Sequence, residues 1–153
     1  MGKINLGRVV LGGIVAGIII DVFEGVSNGV LLGQQYANAM TALGKSGTMS
    51  TNQLIAFNVW GLVTGILMLW VYAAMRPRLG AGPMTAVCAA LVIWASVFVL
   101  GSATMVFLHL MPVGFTLIGL AIALVETIVA GIAGAYLYKE EEAETVHSSA
   151  ARA

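Results

Sequence analysis

The 153 residues are 59% hydrophobic and 9% charged, with seven basic side chains, seven acidic ones and a formal net charge of +0. A soluble domain carries about 25% charged residues, so this chain cannot cover a water-facing surface and its natural solvent is lipid. It has no basic stripe for nucleic acid, no Cys/His cluster with zinc spacing, and a lone Cys88 that cannot form an internal disulfide.

Lys3 and Arg8, followed by the apolar run from Val9 to Ile20, imitate a secretion signal. The run continues to Leu32, and no small-residue cleavage site follows, so an uncleaved membrane helix is expected. Four runs, near 9–32, 54–75, 84–110 and 113–138, reach the roughly 20 residues that cross a bilayer. Backbone groups in lipid must be satisfied within the segment, which makes all four helices. Short links force antiparallel neighbours, so the expected fold is all-α, a four-helix up-down-up-down bundle. The links are an Arg76–Pro83 turn, whose prolines and glycines cannot continue a helix, and a tight turn at 109–115. Only the segment 34–53 is long. Tyr36, Met40 and Leu43 fall at helical spacing there, and Gly44 is placed to end the turn; the alternatives are a short helix on the membrane face or an irregular loop. The tail 139–153, with its acidic run Glu140–Glu144, reads as a disordered solvated end.

Six of the seven basic residues, Lys3, Arg8, Arg76, Arg78, Lys139 and Arg152, flank one side of the spans, and only Lys45 flanks the other. The positive-inside rule then puts both termini in the cytoplasm. Trp70, Tyr72, Tyr136 and Tyr138 fall where an interfacial aromatic belt is expected. Helices two and four end alike, Gly65 to Tyr72 and Gly131 to Tyr138, which either an internal duplication or shared interface chemistry explains.

The chemistry lies inside the apolar runs. Asp21, Glu24 and Asn28 share one face of helix one at about 100° per residue, and Glu126 lies within helix four. Asn58 and Ser96 are the polar candidates on helices two and three. At about 1.5 Å per residue, Asp21, Glu126 and Ser96 each lie roughly 20 Å from the inner edge. Glu24, Asn28 and Asn58 are expected nearer the outer face. The reading is a polar pocket with a mid-membrane floor, open outward. Gly13, Gly17 and Gly25 on helix one, Gly61 and Gly65 on helix two, and Gly119 on helix four are the expected close-packing positions. His109 with Glu24 is a weak metal candidate, because one histidine without a Glu-x-x-His pair is thin ground for a metal centre. No cofactor motif is present.

The stretches Leu11–Gly17, Asn28–Gly33 and Tyr36–Gly44 resemble small bacterial four-helix membrane proteins of unknown function. The resemblance covers about a third of the chain and implies a bacterial inner-membrane location, without assigning an activity or site residues.

Three carboxyl groups in the spans face no Lys or Arg there. An ionised carboxylate at mid-membrane costs on the order of 3 kcal/mol or more, so one is expected to hold a proton, the pocket to hold a cation, or another chain to supply a base. The favoured expectation is proton or cation handling, or binding of a small cationic ligand. The alternative is a structural or accessory subunit whose acids only fasten helices. An enzyme ranks third, since no nucleophile–base pair is visible. The expected partners are the lipid bilayer and either further copies of the chain or a membrane complex. Cysteine labelling tests the orientation: an impermeant reagent added outside should reach Lys45→Cys and not Arg78→Cys, and the reverse pattern overturns it.

Overall fold

The computed structural model describes residues 4–139, so the expected acidic tail lies outside the described residues apart from Lys139. The chain is all-helical, with four helices long and apolar enough to cross a membrane: Leu6–Leu31, Thr51–Leu79, Pro83–Phe107 and Val113–Leu137. It is a multi-pass membrane protein. The elements are α1 (Leu6–Val26), a π-helical turn (Ser27–Leu31), α2 (Gly33–Ala42), α3 (Thr51–Leu79), α4 (Pro83–Ile93), a second π-helical stretch (Trp94–Val99), α5 (Leu100–Phe107) and α6 (Val113–Leu137).

Local chemistry sets the helix ends. The Asn5 side chain caps α1 by accepting from the Arg8 amide at 3.0 Å. Ser50 and Gln53 form a reciprocal capping box on α3. The connection 33–50 does contain a helix, α2. Gly44 ends it at φ +70, with Gly44 N donating to Thr41 O and Lys45 N donating to Met40 O, a Schellman closure. The Arg76–Pro83 turn is shorter than expected. Helix α3 runs through Pro77 to Leu79, giving up the one i→i−4 bond that the proline nitrogen cannot make. Gly80 and Gly82, at φ +82 and +145, make the reversal, and Pro83 starts α4 where its missing N–H costs nothing.

The spans form a ring in which α1 neighbours α3 and α6, and α4 neighbours the same two. The first and last described residues meet on one face, where the Asn5 amide donates to Tyr138 Oη at 3.3 Å. We call this the terminal face, and the opposite one, carrying α2, the far face.

Packing is close in the terminal half. The α1–α3 crossing brings backbones together: a Cβ at Gly13 would lie 2.5 Å from Ile66 Cα, and one at Gly17 would lie 2.6 Å from Leu62 Cα. A Cβ at Gly65 would overlap Gly17 N and Gly13 O. Helix α6 meets α1 through Gly134 and Gly12, a contact outside the expected glycine set, where each Cβ would meet the other's carbonyl oxygen. Buried Ala16, Ile20, Met68, Leu69, Ala86, Ala90, Ile93 and Ala130 fill the space between. Gly25 and Gly119, expected as packing positions, have nothing within 4 Å of a Cβ.

The aromatic belt is only half there. Trp70 and Tyr136 are exposed, whereas Tyr72 and Tyr138 turn inward, 4% and 5% exposed. Their rings meet edge to face at 5.8 Å. The Arg76 guanidinium lies 5.9 Å from one ring centroid and 5.1 Å from the other, within cation–π range. Tyr72 Oη also accepts from the Gly82 amide at 3.4 Å, so this cluster joins all four helices at the terminal face.

The far half is open. Neither α5 nor the second π-helical stretch buries a residue, and all of Thr51–Trp60 is exposed. Gly65→Leu should therefore lose at least about 2 kcal/mol by forcing the α1–α3 crossing apart. Gly101→Leu, which enters open space, should stay within about 0.5 kcal/mol. Thermal unfolding in detergent reads both.

Candidate functional site: a buried carboxyl below a far-face cavity

Glu126 stands on α6, the helix that packs against both α1 and α4, and it is 0% exposed. Neither of its carboxyl oxygens has a hydrogen-bond partner. Next to it, Thr127 spends its hydroxyl on its own helix, donating to Ala123 O at 2.8 Å. Glu24 and, more weakly, Asp21 lie close enough to act electrostatically on Glu126. Of the two α1 carboxyls, Glu24 is the nearer neighbour of Glu126 by this measure, rather than the Asp21 expected from depth. Glu24 is half-buried and accepts from the Asn28 amide one turn on. Asp21 lies at the α1–α3 seam, half-exposed, with an oxygen where a Cβ at Gly61 would stand.

Above Glu126 a cavity of about 160 Å³ opens in the far half. Glu24, Ser27 and Asn28 line it from the first span, Phe98, Ser102 and Met105 from the third, and Phe115, Thr116, Gly119 and Ala123 from the fourth. Ala123 is one turn from Glu126, so the carboxyl lies just below the cavity floor. Both π-helical segments contribute to the walls, through Ser27 and Asn28 and through Phe98. An extra residue in a helical turn widens it and re-aims side chains, and such turns recur at functional sites. Leu32 N donates to Ser27 O at 2.7 Å, the wide-turn bond of the first π-helical segment. On the terminal side, Met68, Leu69 and Ile93 seal the bundle, each at most 1% exposed.

Asn58 and Ser96 do not belong to this site. Asn58 is exposed and donates to its own helix at Leu54 O, because α3 has left the bundle at that level. The Asp21 carboxyl lies against Gly61, and Asn58 sits about one turn farther along α3 toward the far face. Ser96 is exposed and donates to Val92 O at 2.6 Å, since the π-helical stretch turns it outward. The Glu24–His109 metal pairing also fails. His109 is exposed in the far turn at φ +56, with Nδ1 3.1 Å from Phe107 O. Among the described residues, no group of three His, Cys, Asp or Glu side chains is placed to hold a metal ion. Sequence reasoning passed over Ser27, Ser102 and Thr116, common polar residues whose hydroxyls sit in apolar runs. Only the position of Ser27, one turn beyond Glu24 and beside Asn28, offered a signal.

The fold and the site define a class: a four-span helical membrane protein with a buried, unpartnered carboxyl beneath a cavity on one face. Comparison with protein-family models, with curated proteins and with solved structures gives no match.

A carboxyl that fastens helices by hydrogen bonds and one that awaits a ligand respond oppositely to removal. An unsatisfied buried polar group costs about 1–3 kcal/mol. Glu126→Met, similar in volume, should therefore raise thermal stability, whereas a fastening carboxyl would lower it.

Proposed function

We propose that this protein binds and releases a proton or a small monovalent cation at Glu126, with Glu24 as the relay from the cavity. The observation that carries the reading is the Glu126 carboxyl, fully buried with neither oxygen hydrogen-bonded. A carboxylate in that position is tolerated only when neutralised. The arginines of the spans, Arg8, Arg76 and Arg78, lie toward the terminal face, away from it. A proton or a cation from the cavity is the remaining neutraliser within the chain. Intramembrane acids are functional candidates by default for this reason.

The proposed path begins at the far face and passes Asn28 and Glu24 to Glu126. It stops at the apolar layer of Met68, Leu69 and Ile93, so this arrangement is open to one side only. Transfer across the membrane would then require the terminal half to loosen, and the Tyr72–Arg76–Tyr138 cluster would act as its latch. The charge asymmetry supports an orientation with both termini cytoplasmic and the cavity facing outward: Arg8, Arg76, Arg78 and Lys139 flank one side, and Lys45 the other. The resemblance of the first hairpin to small bacterial membrane proteins supports the inner membrane as its location. The rival reading is a structural subunit fastened by a hydrogen-bonded Asp21–Glu126 pair. It is the less supported of the two, because Glu126 makes no such bond.

Liposomes loaded with a pH-sensitive dye test the reading under an imposed ion gradient. Wild-type protein should carry protons, or Na⁺ or K⁺ read by a cation dye, above the rate of protein-free liposomes. Glu126→Gln should fall to that background while remaining folded, and Glu24→Gln should slow entry. Transport by Glu126→Gln at the wild-type rate would remove Glu126 from the mechanism.

A further inference from the structure

Gly13, Gly17, Asp21 and Gly25 recur at four-residue spacing along helix α1, and Gly29 follows in the π-helical turn. The first half of this run is filled by α3, whose Leu62, Gly65 and Ile66 press on Gly13 and Gly17. Its second half is bare, with nothing within 4 Å of a Cβ at Gly25 or at Gly29. The α1–α3 contact reaches Asp21, whose carboxyl lies against Gly61, and α3 does not close on Gly25 beyond it. Every residue from Thr51 to Trp60 is exposed, an arm of about 15 Å at 1.5 Å per residue. The arm carries Phe57 and Trp60, 57% and 62% exposed, and it belongs to a helix otherwise apolar enough to span.

The two bare surfaces cannot cover each other within one chain. Helices α1 and α3 touch backbone to backbone at Gly17, Gly61 and Gly65, and two rods in contact at one crossing diverge beyond it. Polar groups sit in the fork this leaves. Asp21 is half-exposed there, and Asn58 is exposed. A membrane-level carboxyl needs a polar partner, and an amide on the same fork is its complement.

The geometry points to a second copy of this chain as the occupant. The Thr51–Trp60 arm of each copy lies along the Gly25–Gly29 face of the other, and the Asn58 amide of each donates to the Asp21 carboxyl of the other. A groove and a matching arm on one chain make a self-complementary, two-fold contact that closes at two copies. Small residues at Gly25 and Gly29 leave room there for a second helix to come close. This contact uses the α1–α3 fork and leaves the cavity between the first, third and fourth spans free. It stands whether or not Glu126 binds a cation.

Disulfide trapping in the membrane tests the contact in a Cys88→Ala background. A tagged Gly25→Cys copy is co-expressed with an untagged Leu54→Cys copy and oxidised. A covalent dimer of the two is expected, and Ile118→Cys, an exposed position on α6, should give none with Leu54→Cys. Gly25→Leu meets open space within the monomer, so its helicity by circular dichroism should match wild type. Its dimerisation, read by energy transfer between labelled copies across a lipid dilution series, should weaken at least about tenfold, or 1.4 kcal/mol. Three results would each overturn the proposal. One is a disulfide that forms only within a chain carrying both cysteines, showing that the arm folds back on its own helix. Another is a wild-type monomer at every protein-to-lipid ratio, leaving the face to a different protein. The last is a Gly25→Leu variant that dimerises like its parent.

Discussion

The structure depends on one close crossing, that of α1 over α3 at Gly13, Gly17, Gly61 and Gly65. In lipid no hydrophobic force drives one apolar helix onto another, so association relies on backbone proximity and shape. Glycine supplies both here. The crossing lies in the terminal half, and Gly12 and Gly134 add a second close approach beside it. Everything nearer the terminal face is packed by alanines and a few larger side chains. Nearer the far face the helices pack less closely, and neither α5 nor the Thr51–Trp60 end of α3 buries a residue. The cavity, the bare arm of α3 and the half-exposed Asp21 all follow from where the helices touch.

Charge is divided along the same line. The arginine that enters the bundle, Arg76, does so at the terminal end, where two tyrosine rings receive it. The carboxyls lie past the crossing, where the helices have begun to separate. Basic and acidic groups are thus separated along the bundle, and the acids find no cationic neighbour among the spans. Glu126 is the sharpest case. It is buried by the tight half, yet lies one turn from the floor of the open half.

Hydropathy made the four spans legible in the sequence, because about 20 apolar residues have one stable solution in lipid. The α2 helix and its closing Gly44 were legible too, since their hydrogen bonds are local. The site was legible in part. Asp21, Glu24, Asn28 and Glu126 stood out as polar groups in apolar runs, and depth counting put Asp21 and Glu126 in one layer. Asn58 and Ser96 misled because residue counting gives height along a helix but neither its rotation nor whether its neighbour is still in contact. Gly25 and Gly119 misled likewise, for a small residue invites close packing only if another helix is near.

The sequence by itself determined the solvent, the number of spans and the presence of uncompensated acids, because these follow from composition and from the cost of polar groups in lipid. Tertiary structure alone decided which glycines meet, that Tyr72 and Tyr138 turn inward around Arg76, and that Glu126 is left without a hydrogen bond. It also decided that α3 splays from α1 beyond Gly61, baring one arm and one groove. These outcomes depend on the angle and rotation of whole helices, set jointly by all their contacts and by no short stretch of residues.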